Sequence, residues 1–204
     1  IQPAAGDAGG SLGAALALWY NENENKRIVN PNDDMQGSYL GNEFKQEDIE
    51  KELSSIGAYF ETVDDKKLIE ITAKLLSEEN AIGWFQGRME FGPRALGGRS
   101  ILGDPRSEKM QKNLNLKVKF RESFRPFAPS ILESDLSNWF ELDIKSPYML
   151  LVASIKSNKK IEMSEKEKNL FGIEKLNIKR SEIPAVTHVD YSARIQTVNE
   201  HTNK

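Results

Sequence analysis

Ala81-Ile82-Gly83-Trp84-Phe85-Gln86-Gly87-Arg88-Met89-Glu90-Phe91-Gly92-Pro93-Arg94-Ala95-Leu96-Gly97-Gly98-Arg99-Ser100 joins an apolar run of strand length to a loop rich in glycine and arginine. Residues 81–85 predict a short buried strand. Upstream, Asp64-Asp65 opens a helix whose Leu68, Ile71, Leu75 and Leu76 recur at helical spacing, and residues 58–63 read as an earlier strand. Strand, helix and strand in about 28 residues predict an α/β unit. The loop then lies at the carboxyl end of the second strand, where α/β sheets place ligands.

Working outward, residues 6–11 form a small-residue turn, and the Ala- and Leu-rich run 12–20, free of β-branched residues, predicts a buried helix. Residues 21–41, rich in Asn, Asp, Gly and Pro, read as a connecting loop, and 47–56 as a short helix. Past the arginine loop, Ile101-Leu102 begins a strand, Ser107 caps a helix running to about Leu116, and 120–130, with its prolines, runs extended. Residues 148–155 predict a buried strand, and 185–189 with 193–198 a final strand pair. Residues 156–180 carry 12 charged side chains of both signs in 25 positions and read as a solvated excursion.

The composition narrows the function classes. Of 204 residues 38% are hydrophobic and 29% charged, the balance of a chain that buries a core and not of a disordered one. No run approaches the ~18 apolar residues of a membrane span. The absence of cysteine excludes disulfides, thiol chemistry and cysteine zinc sites, and fits a reducing cytoplasm. A net charge of −3 argues against wholesale nucleic-acid binding. That charge is unevenly spread: residues 88–125 hold ten basic and four acidic side chains, net +6, leaving −9 elsewhere. A concentrated positive segment in an acidic chain is the pattern of an anion site.

Four constellations hold the chemistry. In the first, Arg88, Arg94 and Arg99 offer planar forks for phosphate or carboxylate oxygens on a glycine framework, with Glu90 placed to orient one of them. No Gly-Lys-Ser/Thr follows, so it is not a Walker loop; the plainer reading is a turn whose arginines pair with surface acids. In the second, Lys119, Arg121 and Arg125 form one basic row over an aromatic underside if the chain is extended. The same pattern describes a single-strand nucleic-acid groove, whereas the plain reading makes the phenylalanines core. In the third, His188-Val189-Asp190 is a weak polar motif or simply a turn between strands. With only His188 and His201 present, a multi-histidine metal site cannot be built from this chain alone. In the fourth, Asp7 in its glycine loop is a metal or phosphate-seating residue, or an ordinary Asp-Gly turn.

Taken in order, these segments resemble the carbamoyltransferase family that includes the nodulation-factor and aminoglycoside O-carbamoyltransferases. The likeness runs through Pro3-Ala4-Ala5-Gly6-Asp7-Ala8-Gly9-Gly10, Tyr39-Leu40-Gly41, the arginine loop and Arg99-Ser100-Ile101-Leu102. It continues in Phe124-Arg125-Pro126-Phe127-Ala128-Pro129-Ser130, His188-Val189-Asp190 and Arg194-Ile195-Gln196-Thr197-Val198.

The resemblance implies an α/β (α+β) fold: a YrdC/Sua5-like twisted open sheet with flanking helices, preceded by the last helix of an actin-like ATPase-type domain. It divides the chain into 1–22, the end of the carbamoyl-transfer domain; 23–39, a linker; and 40–204, a carbamoyl-adenylate-forming domain truncated at its end. ATP and carbamoyl phosphate are the implied substrates, with a divalent metal (Fe or Mg) in the full-length enzyme and a small-molecule hydroxyl acceptor such as a sugar or antibiotic. No membrane or nucleic-acid partner is implied, and relatives suggest a homodimer. The implied catalytic residues are Arg94, Lys119, Arg125 and Arg194. Arg88, Arg99, Ser100, Arg121, Ser130 and His188 are implied to bind substrate or nucleotide, and Asp7 a metal. The chain opens on Ile1 and stops at Lys204 just after a strand-like run, and reads as a fragment that folds without turning over. Two readings compete: a tRNA-modification protein making threonylcarbamoyl-adenylate, and a non-catalytic module holding nucleotide or RNA on the positive segment.

Overall fold

A computed structural model describes residues 4–30 and 33–201. The chain divides into two compact units, one of residues 1–61, 84–100 and 201–204, the other of 62–83 and 101–200.

The first unit opens with α1 (Asp7–Ala17), which runs into a π-helical turn over Leu18–Glu22, and also contains α2 (Gln46–Ser55). The expected helix is present, but not buried. Only Gly9 of α1 is enclosed, and Leu16, Leu18 and Trp19 stay between 44% and 57% exposed. Alanine and leucine propensity favours this helix although, among the described residues, nothing covers most of its apolar side chains.

Two short strands, β1 (Ile82–Phe85) and β2 (Arg99–Leu102), make a two-stranded sheet, and the chain passes between the units within them. The arginine loop is the connection between these strands. It is fastened to residues 38–42 of its own unit, where the Gly41 amide donates to the Met89 carbonyl and the Met89 amide to Asn42, both at 2.9 Å. The Phe91 amide donates to Ser38 at 2.6 Å, and the Tyr39 hydroxyl to the Leu96 carbonyl at 2.6 Å. A Cβ on Gly41 would sit 2.9 Å from the Met89 carbonyl oxygen, so the contact requires glycine.

In the second unit α3 (Asp65–Ser77) begins as the sequence predicts, with the Asp64 carboxylate accepting the Lys67 amide at 2.8 Å. No strand forms over residues 58–63, which are irregular, so the anticipated strand–helix–strand unit is incomplete. The helix predicted after Ser107 is broken into α4 (Met110–Asn113) and a π turn over Leu114–Val118.

The main sheet has the order β3 (Ser130–Leu132), β5 (Ser192–Val198), β4 (Leu151–Ser154). The central β5 pairs parallel with β3 (Ser130 opposite Gln196) and antiparallel with β4 (Leu151 opposite Ile195). Residues 184–186 form a 3₁₀ turn rather than the first member of a strand pair, because Pro184 fixes φ and lacks a ladder donor. β5 is central because its period-two pattern puts Ala193 and Ile195, both 0% exposed, on one face. They pack in a core with α5 (Leu136–Trp139), Phe140, Ile155, Ile183 and Val186. Phe127 links this core to a smaller one of Met110, Leu114 and Ala185. The molecule is thus mixed α and β with small sheets. Among the described residues no helix is long and apolar enough to cross a membrane.

The charged segment is mostly exposed, as expected, and holds α6 (Glu165–Lys168) and α7 (Ile173–Leu176). Its last residue departs from that expectation: Arg180 is only 3% exposed.

Candidate functional site

The arginine loop takes its shape from one carboxylate. Oε1 of the buried Glu90 accepts the amides of Leu96 and Gly98 at 2.7 Å and of Arg99 at 3.2 Å. Ser100 Oγ accepts the intervening Gly97 amide at 3.0 Å. Burial pushes the Glu90 carboxyl up, but the bonds from these amides together outweigh it and hold the group below its ordinary value. A row of glycine-rich amides is a usual cradle for a phosphate. Here Glu90 fills that cradle, so the backbone is spent on the protein's own anion. Glu90 therefore does not orient an arginine side chain, as the sequence proposed; its contact with Arg99 is through the amide.

The arginines then sort by what they touch. Arg99 lies 3.5 Å above the Phe85 ring centroid and donates to the carbonyls of Gln86, Gly87 and Gly98 at 2.7–3.2 Å. Arg88 donates to the Gly41 carbonyl at 3.2 Å and faces Glu43 at 3.6 Å. Arg94, half-buried, makes no hydrogen bond or ion pair with any described residue. A guanidinium held on a fixed loop with its donors uncommitted is prepared to accept an anion.

The second basic cluster lies in the other unit and is not the extended row that the sequence predicts. Residues 114–118 are helical, and Phe120 has a φ of 48°. The organiser is Asn115, 0% exposed, whose Nδ2 donates to the carbonyls of Ser123 (3.0 Å) and Arg125 (2.8 Å). Arg121 Nε donates to Asn115 Oδ1 at 2.6 Å, with the guanidinium 5.0 Å from the Phe127 ring. Arg125 faces Glu122 at 3.4 Å, and Lys119 is exposed. Folding back through Asn115 replaces the aromatic underside: Phe120 is 85% and Phe124 46% exposed, against their reading as core, while Phe127 packs inward. Arg106, also in the positive segment, is held by Asp104 through contacts of 2.6–3.1 Å; the Arg106 side chain lowers the Asp104 carboxyl accordingly.

His188 and Arg194 flank the turn into β5. Arg194 stands on β5 opposite Val152, on the other face from Ala193 and Ile195. His188 Nδ1 is 3.0 Å from Ser192 Oγ, whose single proton goes to Asp190 at 2.7 Å. Nδ1–H must therefore donate, leaving Nε2 as an acceptor. Burial lowers the His188 pKa, the positive charge of Arg194 adds to that, and Asp190 opposes both. Ser130 pairs across the sheet with Gln196. Arg88, Arg94, Arg99 and Ser100 thus belong to the first unit, and Lys119, Arg121, Arg125, Ser130, His188 and Arg194 to the second.

Asp7 is exposed in the first turn of α1. Among the described residues no three His, Cys, Asp or Glu side chains gather to hold a metal. One exposed carboxylate does not make a divalent-cation site, which takes several ligands. Sequence reasoning missed Asn115, although a poor helix former placed late in a predicted helix was a signal for it.

A family profile described as "Carbamoyltransferase C-terminus" matches residues 73–204. An uncharacterized protein of Synechocystis sp. is 55% identical over all of this chain, which covers 33% of that protein. Nodulation protein NolNO of Sinorhizobium fredii is 39% identical over all of the chain, which covers 27% of it. The 3'-hydroxymethylcephem-O-carbamoyltransferase of Amycolatopsis lactamdurans is 36% identical over 63% of this chain and 20% of its own. The chain spans about a third or less of these relatives.

Proposed function

Because the chain belongs to the carbamoyltransferase C-terminus family, we propose that it is the donor-handling part of an ATP-dependent O-carbamoyltransferase. In this reading it binds carbamoyl phosphate and ATP and forms carbamoyl-adenylate for transfer to the hydroxyl of a small molecule. The balance of atoms requires one water and releases both phosphate and pyrophosphate, because the carbamoyl group leaves its own phosphate and joins AMP. Residues 40–204 would be the YrdC/Sua5-like adenylating part, 23–39 a linker, and 1–22 the end of an actin-like ATPase-type transfer domain. The family resemblance also carries the expectations of a homodimer and a cytoplasmic enzyme, the second in keeping with a chain that has no cysteine.

The observation that carries the reading is Arg94. Of the six arginines between residues 88 and 125, the other five are engaged by carbonyls, carboxylates, Asn115 or a ring, and Arg94 by no described residue. Adenylation develops charge on the α-phosphate and the leaving pyrophosphate, and preorganised cations stabilise it without a cysteine or serine nucleophile. Each unit supplies such cations by itself: we assign anion-binding roles to Arg94 in the first unit and to Lys119, Arg125 and Arg194 in the second, and we assign Arg88, Arg99 and Ser100 to holding the loop. No step is routed through a metal, since the described residues do not build a site for one.

Calorimetry with carbamoyl phosphate and with ATP tests the assignment. Arg94→Ala should weaken donor binding about tenfold or more, the value of a charge-assisted contact. Equal binding by wild type and variant would remove Arg94 from the site. Pyrophosphate release with threonine and bicarbonate, in place of carbamoyl phosphate, would transfer the chain to threonylcarbamoyl-adenylate chemistry.

A further inference from the structure

The four acids between residues 88 and 125 are all committed: Glu90 to backbone amides, Asp104 to Arg106, Glu108 to Lys179 at 2.9 Å, and Glu122 to Arg125 at 3.4 Å. Arg121, half-buried in the second unit, has no described carboxylate against it. Its partners are neutral. The Arg121 amide donates to the Asn115 carbonyl at 3.0 Å, Nε donates to Asn115 Oδ1 at 2.6 Å, and the guanidinium carbon stands 5.0 Å over the Phe127 ring.

This grip is made from behind. Arg88, Arg99 and Arg106 spend terminal nitrogens on carbonyls or a carboxylate, whereas Nη1 and Nη2 of Arg121 bond to no described residue. A guanidinium held at Nε and left open at its end is oriented without being neutralised. That end presents two N–H groups side by side, which fit two oxygens carried on one atom.

The residue that does the gripping is itself immobilised. Asn115 is 0% exposed, and its Nδ2 holds the carbonyls of Ser123 and Arg125. One turn earlier, Gln111 Nε2 donates to the carbonyls of Phe124 (3.1 Å) and Arg125 (3.3 Å). Amides from two successive turns thus hold three consecutive carbonyls, and the loop that carries Arg121 cannot swing without breaking them. Recognition by a fixed fork needs support of this kind, from groups whose own positions are locked.

We propose that Asn115 is a positioning residue for substrate recognition in this unit: it orients Arg121 so that Nη1 and Nη2 together take two oxygens of the phosphoryl group of carbamoyl phosphate. The identity of the ligand rests on the function proposed above; the orientation rests on the geometry alone.

Calorimetry with carbamoyl phosphate on the full chain tests this. Arg121→Lys keeps the charge but loses both the fork and the bond to Asn115, and should bind about tenfold more weakly than wild type, no better than Arg121→Ala. Asn115→Ala should weaken binding by a similar factor while Arg121 is present, and by less than about twofold once Arg121 is alanine. Thermal melting sets a temperature at which each variant is folded, and Arg121→Lys decides the matter if Asn115→Ala does not fold. Wild-type affinity in Arg121→Lys, or the same loss from Asn115→Ala with and without Arg121, would overturn the positioning role. Lys119→Ala separates this from the wider reading: binding lost there but intact in Arg121→Lys would sink the role of Asn115 and leave the proposed function standing. A wild-type chain that does not bind carbamoyl phosphate would overturn both.

Discussion

The Gly98 amide donates to Glu90 Oε1 at 2.7 Å, and a Cβ added to Gly98 would stand 2.6 Å from the Arg88 carbonyl oxygen and 3.1 Å from the Glu90 carboxyl. Hydrogen bond and close approach are one constraint: the carboxylate can fill the ring of amides only if residue 98 has no side chain. Gly98→Ala should therefore cost about 1–3 kcal/mol through overpacking. Glu90→Gln should cost about as much, since it replaces a charged acceptor of three amides by a neutral one. Urea unfolding of both variants checks this, and a change below about 0.5 kcal/mol in either would mean that the loop has another support.

Arg94 and Arg99, five residues apart on the same loop, should separate cleanly. Arg99→Ala loses the stack on Phe85 and the carbonyl bonds, and should destabilise by about 1–2 kcal/mol. Arg94→Ala loses no internal bond and should stay within about 0.5 kcal/mol of wild type while losing anion binding. Melting temperature and calorimetry on the same pair of proteins read the two effects, and an Arg94→Ala chain that unfolds early would make Arg94 structural.

Asn115→Ala leaves the Ser123 carbonyl without its Asn115 donor, the Arg125 carbonyl with only Gln111 at 3.3 Å, and Arg121 Nε without its acceptor, around a side chain that is itself 0% exposed. The expected cost is about 2–4 kcal/mol, with faster amide exchange confined to residues 119–126. Asn115→Asp should be damaging as well, because a carboxylate cannot donate to the two carbonyls. An Asn115→Asp protein as stable as wild type would show that the loop does not need them bonded.

The pH response should carry the mark of His188. Burial holds its imidazole below the ordinary value near 6.5, so between the folded and unfolded pKa the unfolded chain binds a proton that the folded chain does not. Stability from this group is complete above about pH 6.5 and declines as pH falls through the lower folded value. His188→Asn should flatten the difference between urea midpoints at pH 7.5 and 5.5. Glu90 and Asp190, both held below their ordinary values, contribute a second decline at more acid pH, which that variant should retain. An unchanged slope in His188→Asn would place the titration elsewhere.

Much of this was legible along the chain because local rules decide it. Asp64 caps its helix where the sequence puts the cap, residues 82–85 and 151–154 are strands, and 188–191 turn before the last strand. The exceptions have physical causes. Residues 58–63 have strand-like composition but no ladder partner, and composition alone does not hold a strand. The basic row failed because one buried asparagine bends the chain back on itself, a long-range satisfaction of carbonyls that no periodicity reveals.

The sequence by itself determined that the chain is mixed α and β, that its positive charge is gathered between residues 88 and 125, and which family it belongs to. Those properties reside in composition, spacing and order, which need no fold to exist. Only the tertiary structure decided what each cation is for. An arginine's chemistry depends on what its donors meet, and the folded chain sets that: carbonyls of Asn42 and Gly41, far away in sequence, for Arg99 and Arg88, Asn115 across a folded-back loop for Arg121, no described residue for Arg94. The same holds for Arg180, which by composition belongs to a solvated segment and in the fold is buried on the carbonyls of Leu176 and Ile178.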